Sequence, residues 1–142
     1  MKRVYLDHNA TTPLRPEARA AMIEAMDLLG NPSSVHAEGR AATGLLEKSR
    51  GIIAEAFGAS GADLVFTGSA TEAAALACAG RDLQGSAIEH DAVRVWCGEQ
   101  LTVDGEGAVN PSNPEASTLQ LANSETGVVQ TMPQGVALSD MT

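Results

Sequence analysis

The chain is poor in cysteine, in positive charge and in long apolar runs, and each shortage excludes something. Its 142 residues hold two cysteines, Cys78 and Cys97. Two are too few for a disulfide framework, so a reducing, cytoplasmic setting fits best. Lysine and arginine number 9 against 18 aspartates and glutamates, a net charge of −9, and the isoelectric point is near 4.6. An acidic balance argues against nucleic acid or an anionic membrane as a partner. No apolar run approaches the roughly 18 residues that a membrane-spanning helix needs. Met1-Lys2-Arg3 passes at once into Val4-Tyr5-Leu6-Asp7-His8, without the apolar core of a signal peptide. Repeats, low-complexity tracts and obvious linkers are missing too. What remains is 44% hydrophobic and 19% charged. That is a globular composition, on a chain long enough for one domain with a real core.

The most informative stretch runs from Asp63 to Ala79. Leu64-Val65-Phe66, bounded by Asp63 and Gly68, predicts a short buried strand. Glu72 to Ala79 are almost all good helix formers. Between them lies Thr67-Gly68-Ser69-Ala70-Thr71, a turn of small and hydroxyl residues. A strand, a small-residue turn and a helix start make an anion site, because the first turn of a helix has unpaired N–H groups at the positive end of the dipole. Gly68 would let the backbone approach closely, and Ser69 and Thr71 would each offer a hydroxyl. No lysine follows, so this is not a P-loop. Taken alone, the same residues also suit an ordinary helix cap by Ser69 or Thr71.

Upstream, Tyr5 to Pro13 form a short arm ending in polar turn residues. The next helix starts near Pro16 and Glu17 and ends at Gly30, with Ala18, Met22, Met26 and Leu29 as its apolar stripe. Asn31-Pro32-Ser33-Ser34-Val35-His36 is a loop. A long helix spans about Val35 to Phe57, its inner face made of Leu45, Leu46, Ser49, Ile52, Ile53, Ala56 and Phe57. Gly39, Gly44 and Gly51 weaken that helix by roughly 1 kcal/mol each and have no evident purpose unless they lie at tight contacts.

Downstream, strands are expected over Ser86–Ile88, Leu101–Val103, Ser117–Ala122 and Val136–Leu138, with a helix over Asp91–Cys97 and a turn at Asp104–Gly107. Cys78 suits a small core position in the alanine-rich helix. Alternating strands and helices imply an α/β fold with a mainly parallel sheet, whose ligands sit at the carboxyl ends of strands. His90, Ser124, Asp140 and the Gly68–Thr71 turn each fall just after a strand. Alone, His90 also suits a helix cap, and Asp140 an ordinary strand-end aspartate.

Five motifs then occur in order. They are Tyr5-Leu-Asp-His-Asn-Ala-Thr-Thr-Pro13, Asn31-Pro-Ser-Ser-Val-His36, Phe66-Thr-Gly-Ser-Ala-Thr-Glu72, Ile88-Glu-His-Asp-Ala-Val93 and Ala122-Asn-Ser-Glu-Thr-Gly-Val-Val-Gln130. In this the chain closely resembles the cysteine desulfurases of the class V aminotransferase superfamily, from Tyr5 to its end. The resemblance implies a fold of the aspartate-aminotransferase type, a three-layer, mainly parallel sheet with flanking helices. Residues 1–15 would be an N-terminal arm and 16–142 a partial cofactor-binding large domain. It implies pyridoxal 5'-phosphate as cofactor. Ala70 and Thr71 match the positions that hold its phosphate. His90 matches the histidine that stacks on the pyridine ring and helps in proton transfer, and Asp140 the aspartate that pairs with the pyridine nitrogen and keeps the ring an electron sink.

Departures from the family pattern accompany the match. Where the family has Asn-Asn-Glu, this chain has Asn123-Ser124-Glu125. The shorter Ser124 would reach the cofactor's ring oxygen weakly or through water. The connection from His90 to Asn123 is short, and Thr131-Met-Pro-Gln-Gly135 cannot hold the helix that normally lies before Asp140. A parallel crossover usually takes at least about 10–12 residues, so the pairing of the last strand is not fixed by the sequence. Lys2 and Lys48 do not match the family's Schiff-base lysine, and neither Cys78 nor Cys97 matches its sulfur-accepting cysteine. The expectation is an N-terminal portion of a homodimeric enzyme, inactive alone. The whole enzyme would convert L-cysteine to L-alanine and pass sulfur through a persulfide to an acceptor protein for iron–sulfur clusters or another pathway. A non-catalytic half that pairs with a separate C-terminal half, and a selenocysteine lyase or other class V lyase, are the alternatives.

Overall fold

In a computed structural model, residues 3–8 and 10–141 are described. The chain divides into two compact units, Met1–Val65 and Phe66–Thr142.

The first unit is built on two helices. Helix α1, Pro16–Met26, opens with Pro16 at its first position and Glu17 in its first turn, where a fixed φ and a negative charge both help. It stops four residues before Gly30, and none of its residues is buried. The expected apolar stripe is therefore not covered: Met22, Met26 and Leu29 are 48%, 74% and 84% exposed. Helical spacing gathers apolar residues on one face; it supplies no surface to bury them against.

Helix α2, Ala37–Ala56, lies within the expected span. Its half-buried side runs through Ala42, Thr43, Leu46, Ser49, Arg50, Ile53 and Ala54, whereas Leu45, Ile52, Ala56 and Phe57 of the expected inner face are exposed. Gly39 is the buried exception among the described residues of this unit, and its purpose is steric. A Cβ there would stand 2.2 Å from the Ser34 carbonyl oxygen and 2.8 Å from that of Asn31, so only glycine lets the 31–36 loop lie against the helix start. Thr43 Oγ1 ties the same loop down by donating to the Pro32 carbonyl at 2.8 Å. A Cβ at Gly44 or Gly51 would meet nothing within 4 Å.

Leu64-Val65-Phe66 is not a strand: positions 63–67 carry neither helix nor strand, and Val65 is 72% exposed. A strand exists only beside another backbone, and an apolar triplet does not specify its neighbour. Arg50 Nε donates to the Leu64 carbonyl instead, at 3.1 Å.

The second unit carries the sheet. Helix α3, Ala70–Cys78, begins two residues earlier than the run of helix formers suggests, because Ser69 caps it: Ser69 Oγ accepts the Glu72 N–H at 3.2 Å. Strand β1 is Gln84–Ser86, helix α4 Asp91–Arg94, β2 Gly98–Leu101, β3 Thr118–Gln120 and β4 Leu138–Asp140, with a 3-10 turn at Pro114–Ala116. β1, β2 and β4 are displaced from their expected ranges, and β3 is a shorter stretch within its own. Ile88, Val103 and Val136 are left out, and Gln84, Gly98 and Asp140 are taken in. Helix α4 ends at Arg94 instead of Cys97.

β1 pairs in parallel with β2, and β3 with β4, in the register Thr118↔Leu138, Leu119↔Ser139, Gln120↔Asp140. A parallel bridge, Gln84↔Ser117, joins the two pairs, giving the order β2-β1-β3-β4. The crossover from β3 to β4 contains no helix. It folds back on itself through an antiparallel bridge, Ala122↔Val129, and still delivers a parallel strand. Cys78, Leu83 and Val93 are buried together, with Ala74, Cys97, Ala137 and Leu138 packed against them. Leu119 is 1% exposed.

Candidate functional site

From β1 the chain moves outward to β2, and from β3 to β4 on the other side. The gap between β1 and β3 is thus a switch point, the place where open parallel sheets accept ligands at the carboxyl ends of their strands. All five candidate residues belong to this unit.

Ala70 and Thr71 are the first two residues of α3, and both are exposed. The Glu72 carboxylate bends back to accept the Gly68 N–H at 2.6 Å, reciprocating the Ser69 cap. His90 precedes α4 and is exposed; its Nδ1 accepts the Ala92 N–H at 3.2 Å. It is a helix cap, as its position alone suggested. That bond uses the Nδ1 lone pair, so a neutral ring carries its proton on Nε2. Ser124 is exposed in the turn after β3, its N–H donating to Gln120 Oε1 at 3.3 Å. Asp140 is half-buried as the last residue of β4, beside Gln120 in the register.

The neighbours of His90, Ser124 and Asp140 are linked to one another, through residues to which the motif reading gave no role. Glu89 is 4% exposed, and its Oε1 accepts the Gln120 N–H at 3.0 Å. Burial pushes its pKa up to about 7; the bond from Gln120 lowers it and the charge of Asp140 raises it. Asn123 is 3% exposed. Its Nδ2 donates to the Ile88 carbonyl at 2.6 Å and to Gln120 Oε1 at 3.0 Å. Its Oδ1 accepts from the N–H groups of Glu125 and Thr126 at 3.0 and 2.9 Å. No hydrogen bond among the described residues joins Ala70 or Thr71 to this network; α3 meets it by packing on α4. In sequence Glu89 looked like its neighbour Asp91, which is exposed. Nothing but its place directly after an apolar pair set it apart.

The two cysteines make poor nucleophiles. Burial pushes the Cys97 thiol up to about 11, with the neighbouring Cys78 adding to the shift, and burial raises Cys78 as well. At neutral pH both are held as thiols, whereas the thiolate is the reactive form. Among the described residues no group of histidine, cysteine and carboxylate side chains is arranged to hold a metal ion, and no helix is long and apolar enough to cross a membrane. A groove in the first unit, lined by Glu47, Arg50, Asp63 and Leu64 among others, contains none of the candidate residues.

This fold is that of a known class. Residues 4–96 match the family model described as Aminotransferase class-V, and the chain belongs to that family. It is 36% identical to the cysteine desulfurase of Cereibacter sphaeroides, over 91% of this chain and 41% of that protein. It is 36% identical to the selenocysteine lyase of Rattus norvegicus, over 82% of this chain and 24% of that protein. Among solved structures it is similar to a NifS-like protein from Rickettsia africae, with a TM-score of 0.75 and 33% identity over 89% of this chain and 42% of that one. The chain thus spans about two fifths of the desulfurase and of the NifS-like structure. Its α/β architecture with parallel strands is part of their fold, and class V aminotransferases are in general pyridoxal-phosphate enzymes.

Proposed function

We propose that this chain supplies the cofactor-holding part of a pyridoxal-phosphate-dependent cysteine desulfurase. The observation that carries the reading is that the turns after β1 and β3 and the end of β4 bear His90, Ser124 and Asp140 at one edge of one sheet. The same residues fall in the motifs that resemble the family. Residues 1–15 would be an arm and 16–142 part of the large domain.

The side chains present suit such a cofactor. The exposed first turn of α3, with Ala70 and Thr71, offers N–H groups, a hydroxyl and the positive end of a helix dipole to a phosphate. The Glu72 carboxylate occupies the Gly68 N–H, which leaves Ala70 and Thr71 to do the holding. Asp140 presents a carboxylate to a protonated ring nitrogen. Ser124 lies where a ring oxygen would be met. His90, with Nδ1 engaged by Ala92, holds a transferable proton at Nε2. When bound, the cofactor supplies the electron sink that such chemistry requires.

L-cysteine is the substrate, and L-alanine and an enzyme persulfide are the products. The persulfide sulfur is destined for an acceptor protein serving iron–sulfur cluster assembly or another sulfur pathway. The working enzyme is a cytoplasmic homodimer. Cys97, with its thiol held up near 11, and the buried Cys78 are unsuited to receive the sulfur, so the thiolate and the family's lysine amine come from elsewhere.

The test joins this chain to the C-terminal segment of a cysteine desulfurase relative carrying the lysine and cysteine motifs. Alanine and persulfide are then measured beside the 142-residue chain and a lysine-free control. Product is expected from the joined protein alone. Turnover by the 142-residue chain above a cofactor-only blank would overturn the reading, as would a joined protein with no product from either substrate. The likeness to a selenocysteine lyase favours a second reading, in which selenocysteine is the preferred substrate; the same assay with that substrate decides between them.

A further inference from the structure

Beyond the Gln84↔Ser117 bridge, no backbone pairing among the described residues joins β1 to β3. The sheet opens there, at the point where the two candidate turns leave it. Two side chains cross the opening in opposite directions. From the turn after β1, Glu89 reaches over to accept the Gln120 N–H of β3 at 3.0 Å. From the turn after β3, Asn123 reaches back to donate to the Ile88 carbonyl at 2.6 Å. The Gln120 side chain lies between them, accepting from Asn123 Nδ2 at 3.0 Å and from the Ser124 N–H at 3.3 Å. Glu89, Gln120 and Asn123 are 4%, 3% and 3% exposed. Buried polar groups are costly when unpaired and hold geometry firmly when paired.

We propose that Glu89 and Asn123 form a reciprocal clasp that fixes the His90 turn against the Ser124 turn, and that both are positioning residues for the cofactor site. The second half rests on the function proposed above. The clasp does with side chains what backbone pairing does elsewhere in the sheet. Ile88 and Glu89, which it grips, directly precede His90; Ser124 directly follows Asn123. Glu89 Oε1 acts as an acceptor, while Oε2 is buried with no hydrogen-bond partner among the described residues. A glutamine keeps that acceptor and is expected to replace the acid.

The experiment uses the isotopically labelled 142-residue chain, followed by amide exchange and by the imidazole signals of His90. Glu89→Ala removes one latch. Asn123→Asp removes the donor of the other and keeps the Oδ1 acceptor for Glu125 and Thr126. Each is expected to speed exchange at Gln120, His90 and Ala92 by about tenfold or more relative to the amides late in α3, since Glu89→Ala loses one buried bond and Asn123→Asp two. Each should also shift the His90 ring signals. Glu89→Gln is expected to behave as the unmutated chain.

Unmoved His90 signals in both broken variants, or loosening spread evenly over the unit, would overturn the clasp. So would a Glu89→Gln variant as loose as Glu89→Ala. Should either broken variant fail to fold, Thr126→Val, which removes a 3.1 Å bond to Asn123 Oδ1 and the acceptor of the Val128 N–H, is read at the same His90 signals. Movement there supports the clasp and stillness overturns it. Pyridoxine 5'-phosphate is added last. Absent binding with the clasp signals as expected overturns the cofactor reading alone, and binding with His90 unmoved in the variants overturns the clasp alone.

Discussion

The two units of this chain are similarly rich in apolar residues and reach opposite outcomes. Among the described residues Met1–Val65 buries a single residue, Gly39, although it holds the longest helix. Phe66–Thr142 has short helices and three- or four-residue strands, yet holds every other buried residue, seven of them polar or charged. Helix formation needs only local sequence: a proline at the first turn, a small-residue cap, a run of alanines. Burial needs a second surface. In the second unit parallel strands and α3 provide it; in the first, apolar residues such as Leu29 and Phe57 remain 84% and 68% exposed. The lesson is that the candidate chemistry belongs where polar groups are buried and mutually bonded, and that is the sheet's open edge.

Mutations in order of expected size sharpen this contrast. Leu119→Ala, at a side chain 1% exposed, should destabilise the second unit by about 2–5 kcal/mol. Leu29→Ala, on an exposed side chain, should stay within about 0.5 kcal/mol. Urea melts followed through Trp96 and by helical circular dichroism would measure both, and equal losses would erase the distinction.

The next effect comes from pH. Glu89 titrates near 7 in the folded chain against about 4.5 for an ordinary glutamate. The folded state thus holds the proton more tightly, and stability is greatest below pH 4.5 as far as this group is concerned. That contribution is lost as pH rises through 7, on the order of 3 kcal/mol in all. Glu89→Gln should flatten this part of the stability profile; a slope unchanged in the variant would assign it to another group.

Gly39→Ala should cost about 1–2 kcal/mol, since its Cβ would collide with two backbone carbonyls. Ser69→Ala should cost about 1 kcal/mol by removing the α3 cap, visible as faster amide exchange at Glu72. Smallest is Gly44→Ala, which enters open space on α2 and should stabilise it by roughly 0.5–1 kcal/mol. A loss at Gly44 as large as at Gly39 would contradict the open face of α2 at Gly44.

What was legible in the sequence follows the same division. Pro16, Ser69 and the alanine run announced α1 and α3, because capping and propensity are local. Three of the four sheet strands are displaced and β3 is shortened, since a strand's ends are set by the neighbour's backbone, and Leu64-Val65-Phe66 fails for want of one. The α1 stripe was real as a pattern and wrong as a core. At the site, the place of Thr71 in the first turn of a helix and of Asp140 at a strand end could be read directly. Glu89 and Asn123 lie inside the family-like motifs, yet their roles are not legible there. Each role depends on a bond spanning more than thirty positions, Glu89 to Gln120 and Asn123 to Ile88, that only the folded sheet creates.

The central claim is that Ala70, Thr71, His90, Ser124 and Asp140 share one cofactor site in the second unit. Its most direct test is a titration of the labelled 142-residue chain with pyridoxine 5'-phosphate. This compound keeps the ring and phosphate of the cofactor and replaces its aldehyde, so it cannot condense with the amines of Lys2 and Lys48. The account predicts amide shifts at Ala70, Thr71, Ser124 and Asp140 and ring shifts at His90 that saturate together, with inorganic phosphate moving the first two alone. Shifts absent from all five, or five responses saturating at unrelated concentrations, would contradict it.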